Sequence, residues 1–492
     1  MIRLADFASA LLTALSGGEA AGLPELLEKG GFSYGARSAE NLRLLGEILP
    51  PAQVTELAIA ALATPLPDMA LNGVERISVV AGREELLELS ARRALVAQLM
   101  NICGSSPFLT NIICKDPIYF RRLFLEREVM RRRSEAEMLA TLRSRIPAEP
   151  GYHEVFPLLR RFKYAEMLRI AARDLNGLSS LEEVTAELAS LAAATLQVAY
   201  EAARRELVRE HGTPLHLTPD GPAEADLTVI GMGKLGGREL NFSSDIDLIY
   251  FYSSDNGETA GVPDGRGAPK GKLSLHAFFV KLAEMVSRAI SQVTADGFVF
   301  RVDMGLRPDG KAGDLATSMR SAEVYYESWG QSWERAAMMK ARPVAGSIEL
   351  GEEILAALDP FIYRRYLDYN LIEDMMSMKK RIDASLARSQ EGEVNIKLGR
   401  GGIREIEFFI QALQLVYAGK NPELRERNSL NALTTLRNSR IIKEADCNAL
   451  SDAYRFLRTV EHRIQVVQER QTHSLPRKDD EMRALARRCG FL

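Results

Sequence analysis

The sequence predicts an α+β chain that is predominantly helical, with a small mixed sheet between two helical regions. Apolar residues recur at helical spacing through residues 1–155, short β-type runs appear between residues 227 and 302, and helical spacing returns after Gly346. We therefore expect an N-terminal helical region (1–155), a central α/β domain (156–345) and a C-terminal helical bundle (346–492).

The composition excludes several classes of protein. With 63 basic and 66 acidic residues the net charge is −3, which argues against a general nucleic-acid coat. The four cysteines contain no CxxC pair and the six histidines do not pair at ligand spacing. We therefore expect reduced thiols, a cytoplasmic location and no zinc site.

The N-terminal region is predicted to be almost entirely helical. Leu4, Phe7 and Leu11 recur at helical spacing and predict an amphipathic first helix. The long uncharged run at residues 94–114 is broken by a Gly-Ser-Ser-Pro turn, which predicts two buried helices and no membrane partner. The arginine run at residues 131–133 is interpreted as a solvated helix face.

The central domain begins with a predicted helical stretch over residues 158–210, after which the period changes. Residues 227–230, 246–252 and 298–302 are predicted strands. A Gly/Pro/Ser-rich loop (253–272) and a helix (274–295) separate the last two. Beyond Gly346 we expect helices interrupted at residues 399–402, with two apolar core stripes: Ile403, Ile406, Ile410, Leu413 and Tyr417, then Leu457, Val460, Ile464 and Val467.

Two aspartates at the start of the second predicted strand form the candidate site. Asp245 and Asp247 are two residues apart, so both carboxylates project from one face while Ile246 and Leu248 point into the core. Paired carboxylates repel one another unless a cation lies between them, and Mg²⁺ accepts such oxygen ligands while keeping positions open for phosphate.

A glycine-rich turn, GKLGG at residues 233–237, precedes these aspartates. Such a turn lets backbone N–H groups approach a phosphate, and Lys234 and Arg238 add positive charge beside it. The spacing is not that of a Walker P-loop. Together, the turn and the Ser244-Asp245-x-Asp247 segment predict metal-dependent phosphate chemistry.

A third carboxylate is expected at the end of a neighbouring strand. In the segment Phe-Val-Phe-Arg-Val-Asp, Asp303 lies on the polar face with Val299 and Arg301. Asp296 and Asp309 are alternatives, but each precedes a glycine and is typical of a turn residue.

Several long segments resemble the family of bifunctional glutamine synthetase adenylyltransferase/adenylyl-removing enzymes, whose members carry two similar nucleotidyltransferase halves. The wording NFSSDIDL within GMGKLGGRELNFSSDIDLIY (231–250) resembles the N-terminal, adenylyl-removing half. The resemblance runs from about residue 100 to the end. It includes LRRFKYAEMLRIAARDL from Leu159, FRVDMGLRPDG from Phe300, WERAAMMKARPVAG from Trp333, KLGRGGIREIEFFIQALQLVY from Lys397 and LRTVEHRIQVVQERQTHSLP from Leu457.

The resemblance implies a nucleotidyltransferase fold for residues 156–345 and a set of site residues. Asp245, Asp247 and Asp303 would hold Mg²⁺. Phosphate or nucleotide would contact a larger group: Gly233, Lys234, Gly236, Gly237, Arg238, Ser244, Arg307, Lys340 and Arg342. Gly305 departs from the arginine often found there in the family.

The resemblance also implies a reaction and partners. Orthophosphate would attack adenylylated tyrosine on glutamine synthetase and release ADP, under the influence of the PII signal protein, glutamine and 2-oxoglutarate. The alternatives are transfer of AMP from ATP to that tyrosine, and a catalytically silent regulatory module. Because the sequence contains one such signature and stops at Leu492, we expect a separately encoded half or a piece of the longer enzyme.

Overall fold

Short amphipathic helices build the N-terminal region of the computed structural model, which describes residues 2–17, 22–263, 269–364 and 394–491. Phe7 and Leu11 are buried, which confirms the predicted first helix. The uncharged run at residues 94–114 forms two helices, and Ser106 caps the second through Leu109 N (3.1 Å). The helices are α1 (Leu4–Gly17), α2 (Leu23–Gly30), α3 (Gly35–Gly46), α4 (Pro51–Leu62), α5 (Pro67–Ala81), α6 (Arg83–Ser90), α7 (Arg93–Ser105), α8 (Pro107–Ile113), α9 (Pro117–Phe120) and α10 (Glu135–Arg143).

None of the helices in these described ranges combines the length and apolarity needed to cross a membrane.

The arginine run at residues 131–133 is not helical, so that part of the prediction is wrong, but Arg131 and Arg132 are exposed to solvent as expected. The segment is irregular and ends at Ser134, the N-cap of α10. The Arg133 side chain is only 10% exposed and pairs with Glu128 at 3.0 Å and with Glu166. Arg133 alone turns inward, where its charge offsets those of the buried carboxylates Glu128 and Glu166.

Two long helices, α11 (Val155–Leu175) and α12 (Leu181–His211), connect this region to the sheet and agree with the helical stretch predicted from residue 158. The next elements are β1 (Pro214–Thr218), β2 (Gly221–Glu224), β3 (Leu227–Gly231), α13 (Gly233–Gly236), β4 (Ile246–Tyr252), β5 (Gly257–Thr259), β6 (Val262–Pro263), β7 (Pro269–Lys270), α14 (Leu275–Ser291), β8 (Val302–Asp303), β9 (Ala316–Ser318), α15 (Met319–Ser328), α16 (Ser332–Met338) and β10 (Arg342–Gly346).

A five-stranded mixed sheet carries the candidate site. Its order is β10-β3-β4-β8, and β9 pairs with the far end of β4. The first three strands are antiparallel, whereas β8 and β9 run parallel to β4. Leu248 and Tyr250 pack in the core shared with α12 and α14, and Ile249 and Phe251 pack on the other face with Tyr326 of α15. The predicted fold class, helical regions around a mixed sheet, is thereby confirmed.

The third predicted strand is largely wrong. Only Val302 and Asp303 pair with β4, and Val299 and Phe300 are both buried, so the expected alternation of faces is absent. The backbone N–H of Val299 donates to the carbonyl of Ile290 at 3.0 Å, because the segment folds back onto the end of α14. That helix accordingly ends at Ser291, before the predicted residue 295.

The segment predicted as a loop at residues 253–272 contains β5, β6 and β7, while residues 264–268 lie outside the described part of the chain. β5 joins β1 and β2 in a separate antiparallel sheet. The strands β5, β6, β7 and β9 were missed because each is only two or three residues long. The strands β1, β2 and β10 were also missed, although β1 and β10 are as long as β3.

Helices follow the sheet in the described parts of the C-terminal region. They are α17 (Ile348–Ile362), α18 (Ile403–Tyr417), α19 (Ser429–Asn438), α20 (Glu444–Gln465) and α21 (Asp479–Arg488). Residues 365–393 of the expected helical bundle lie outside the described residues. Ile403, Ile406 and Ile410 are buried as predicted, whereas Tyr417 at the end of that stripe is 42% exposed.

Candidate active site

The three candidate aspartates meet where β4 and β8 pair. Ile246 and Leu248 are fully buried, so Asp247 projects from the opposite face of β4, as predicted. The parallel register sets Asp303 directly opposite Asp247. Asp303, and not its alternatives Asp296 and Asp309, therefore shares an edge with the signature aspartates.

The glycine turn approaches the same carboxylate. Residues 233–236 form the single helical turn α13, and the N–H of Met232 donates to the carbonyl of Asp247 at 2.9 Å. Gly233 has a φ of +51°, and a Cβ added there would lie 3.0 Å from Oδ2 of Asp247. The close approach therefore favours glycine at this position.

The carboxylates influence one another through their charges. Burial and the negative charges of Asp303 and Asp245 together raise the pKa of Asp247 to about 6, against the opposing effect of Lys397 and Lys234. A buried carboxylate facing two others is stabilised by a cation, and hard divalent cations prefer such oxygen donors. This donor set therefore fits Mg²⁺.

Asp245 is engaged with protein partners. Arg301 Nε donates to its Oδ1 at 2.5 Å, and Gln471 Nε2 donates to its Oδ2 at 3.3 Å. Arg301 also donates to the Ser243 carbonyl at 2.8 Å. In the ranges that the structure describes, no three His, Cys, Asp or Glu side chains already converge as a metal centre. The Asp245 carboxylate is thus occupied by Arg301 and Gln471 on both of its oxygens.

Sequence reasoning missed Arg301 and Gln471 as contacts of Asp245. The sequence did contain a signal for Arg301, because the predicted strand placed it on the same face as Asp303. Gln471 lies in a quoted family segment, but nothing in its local pattern distinguishes it from surface glutamines.

Lys234 follows Gly233 and is held by a buried acid. Its Nζ lies 3.2 Å from Oε1 of Glu461 in α20, and His473 Nδ1 lies 2.9 Å from the same oxygen. Burial lowers the pKa of Lys234 to about 8, and Glu461 opposes this effect. Ser244 lies half-buried directly before Asp245.

Four other predicted phosphate contacts lie together at the far end of α13. Arg342 donates to the carbonyls of Leu235 and Gly236, both at 3.2 Å. A Cβ on Gly236 would lie 1.8 Å from the Lys340 carbonyl, so only glycine fits against β10. Gly236, Gly237, Arg238 and Arg342 line one cavity, which does not include the aspartates.

Lys340 and Arg307 use their charges within the protein. Lys340 Nζ contacts Glu239 Oε2 at 2.6 Å and Ser429 Oγ at 3.1 Å in a buried polar cluster. The guanidinium of Arg307 donates to three carbonyls of its own loop, including that of Met304 at 2.7 Å. Their contact with phosphate stays a prediction. Gly305, where the family often has arginine, donates its N–H to Oδ1 of Asp303 at 2.7 Å.

A mixed sheet that brings two strand aspartates beside a third, next to a glycine turn, is typical of nucleotidyltransferases. Comparison with known proteins agrees with that class. A family model described as Glutamate-ammonia ligase adenylyltransferase matches residues 96–357, more than half of the chain. The chain belongs to this family. A second model, described as GlnD PII-uridylyltransferase, matches residues 376–492.

Its relatives include proteins described as bifunctional glutamine synthetase adenylyltransferase/adenylyl-removing enzyme. The chain is 39% identical to that of Pseudomonas syringae pv. tomato over 79% of its length and 38% of the relative's. It is 45% identical to that of Nitrosococcus oceani over 69% of its length and 34% of the relative's. The match to Pseudomonas aeruginosa is 37% identical and covers 90% of this chain and 43% of the relative. The chain thus spans about two-fifths of these relatives.

Proposed function

We propose that this chain removes AMP from adenylylated glutamine synthetase by phosphorolysis. An oxygen of orthophosphate forms a bond to the α-phosphorus of adenylyl-tyrosine while the bond from phosphorus to the tyrosine oxygen breaks. ADP and tyrosine result, and the tyrosine oxygen takes its proton from solvent. The observation that carries the proposal is the register of Asp303 opposite Asp247, beside Asp245 and Gly233.

In this proposal Asp245, Asp247 and Asp303 hold Mg²⁺. When bound, Mg²⁺ stabilises negative charge on the attacking and leaving oxygens. Gly233 keeps space beside Asp247, and Lys234 supplies positive charge behind the turn. Arg301 donates to Asp245 and balances its charge, so its guanidinium is a candidate contact for the incoming phosphate.

The direction of the reaction is inferred from the resemblance of NFSSDIDL to the adenylyl-removing half. A site that stabilises the transition state lowers the barrier for addition and removal alike. Direction therefore depends on whether the chain binds orthophosphate with AMP-tyrosine or ATP with free tyrosine. Transfer of AMP from ATP is the alternative that uses the same residues.

The partners are proposed on the same basis. Adenylylated glutamine synthetase is the protein substrate, and orthophosphate, ADP and ATP are the small ligands. The match of residues 376–492 to a PII-uridylyltransferase model supports the PII signal protein as a regulator. We further propose residues 156–345 as the nucleotidyltransferase domain and the cytoplasm as its location.

Two separate reactions test the proposal. One contains the chain, Mg²⁺, adenylylated glutamine synthetase and labelled phosphate; the other contains unmodified glutamine synthetase and labelled ATP. Labelled ADP in the first, with little protein labelling in the second, is the expected result. Robust labelling in the second without ADP in the first would reverse the direction, and no turnover in either would favour a silent regulatory module.

Paired variants make the test specific for the site. Asp303→Asn removes the carboxylate opposite Asp247, whereas Asp309→Asn changes a turn aspartate six residues away. Asp309 has a φ of +58°, which asparagine tolerates well. Activity should be lost in the first variant and retained in the second.

A further inference from the structure

A cavity of about 420 Å³ lies between α12, α13, β10 and the start of α19. Four arginines line it, Arg238, Arg342, Arg425 and Arg427, and we call it the arginine pocket. Its volume lies within the range of small-ligand sites. The proposed reaction at the aspartates does not use it.

The sheet register separates the arginine pocket from the aspartates. Arg342 pairs with Gly231, and Gly231 pairs with Leu248 on β4. Residues directly opposite in adjacent strands share a face, so Arg342 projects on the Leu248 side, toward α12. Asp247, the next residue to Leu248, projects on the other side. The pocket is thus two strands away and on the opposite face.

The arginines of the pocket outnumber its two lining glutamates, Glu182 and Glu426. Glu182 is paired outside the pocket lining with Arg455 at 2.7 Å, and Glu426 accepts the backbone N–H of Asn428 at 2.9 Å.

Burial, together with the neighbouring charges of Arg238 and Arg427, lowers the pKa of Arg342 to about 10, against the effect of Glu135 and Glu352. An arginine with a lowered pKa, close to two others, is stabilised by an anion.

The groups that contact these arginines offset their positive charge only in part. Arg425 is paired with Asp359 at 2.7 Å, and Arg427 Nε donates to the Ala341 carbonyl at 2.7 Å. Glu135 Oε2 lies 3.3 Å from Arg238 and 3.9 Å from Arg342 without forming a hydrogen bond to either. One carboxylate at this distance offsets the two guanidinium groups only in part.

We propose that the arginine pocket binds a small ligand that carries at least two negative charges on phosphate or carboxylate groups. Guanidinium groups recognise both through paired N–H donors. A bound ligand would be linked to the aspartates, because Arg342 holds the Leu235 and Gly236 carbonyls at one end of α13 while Gly233 contacts Asp247 at the other.

Calorimetric titration of the purified chain with inorganic pyrophosphate, in EDTA to exclude metal-dependent binding, tests the proposal. Arg238→Gln should weaken binding roughly tenfold, the loss of one charge-assisted contact. Glu135→Gln should tighten it, because the competing carboxylate is neutralised. Arg209→Gln, at the exposed far end of α12, is the matched control and should bind as the unaltered chain does.

Two further measurements separate this pocket from the aspartate site. Lys234→Gln should leave pyrophosphate binding unchanged; loss of binding there, with Arg238→Gln unaffected, would overturn the proposal. A parallel titration with succinate distinguishes the sources of charge: binding of only one compound identifies phosphate or carboxylate as the preferred group. Failure of both to bind would also overturn the proposal. None of these readouts depends on turnover.

Discussion

Replacing Gly233 by alanine tests whether the approach of the glycine turn to Asp247 matters for activity. At a φ of +51° an alanine incurs a backbone cost of roughly 1 kcal/mol. Its Cβ would also lie 3.0 Å from Oδ2 of Asp247, so that the carboxylate must shift by a few tenths of an ångström. A misplacement of about 1 Å at a reacting centre costs roughly 10²-fold in rate, so a shift of a few tenths of an ångström should cost roughly tenfold, or about 1.4 kcal/mol of barrier.

Gly177→Ala is the matched control. Gly177 has a φ of +66° with nothing within 4 Å of an added Cβ, so alanine there carries the backbone cost alone. The two variants should lose similar free energies of unfolding in urea, but only Gly233→Ala should lose the initial rate of phosphate-dependent ADP release. Equal rates for the two variants would refute the idea that Gly233 positions Asp247.

Three further outcomes are expected. Asp247→Asn should keep its fold by circular dichroism and lose roughly a thousandfold or more in turnover, because an anionic metal ligand is removed; near-normal turnover would contradict the site. Lys340→Met should lower the free energy of unfolding by about 3 kcal/mol because Glu239 is left buried without its cation, while the folded enzyme keeps its KM for phosphate; a raised KM would restore Lys340 as a phosphate contact. Asp174 is buried, but Arg463 outweighs the burial and lowers its pKa to about 2. The stabilisation, about 2.5 kcal/mol at neutral pH, is present above the unfolded pKa near 4 and is lost as pH falls toward 2. Between pH 5 and pH 3 the free energy of unfolding should therefore fall by about 1 kcal/mol less in Asp174→Asn than in the unaltered protein. If the two proteins lose the same free energy over this range, the Asp174–Arg463 pair is not the cause.

Local patterns in the sequence were sufficient to predict the strands that carry the signature. Buried residues on both faces of β3 and β4 give continuous apolar runs, and their ends coincide with the glycine turn and the serines. The Asp-x-Asp spacing placed Asp247 correctly on the face opposite Ile246 and Leu248, while the shared face of Asp245 stays a prediction because β4 begins only at Ile246. Asp303 was predicted as the third carboxylate because it ends the neighbouring apolar segment, residues 298–302, on its polar face.

Contacts between distant segments could not be predicted in this way. The Phe298–Val302 alternation was overridden by the backbone bonds to α14, and the short strand β10 is defined only by its pairing with β3. Arg238 was grouped with the aspartates because it adjoins the glycine turn, and Arg342 because it matches a basic position in the segments that resemble the family. The pairing shows instead that Arg342 and Asp247 project from opposite faces of the sheet, because Arg342 aligns with Leu248 and not with its neighbour Asp247. A shift of one residue in the register would have placed them on the same face.

The inward face of α20 links the C-terminal helices to the candidate site. Sequence reasoning assigned this helix an apolar stripe, yet its Arg458 and Glu461 are almost completely buried. Arg458 donates to the Glu239 carbonyl at 2.6 Å and to the Asn241 side chain, and Glu461 holds Lys234. The turn between the glycines and the aspartates is therefore held by a helix more than 200 residues away in sequence. Without α20 its buried polar groups would lack partners, at a cost of several kcal/mol. A domain boundary at residue 345 divides the chain by its sequence pattern, but the geometry of the site depends on residues from both sides.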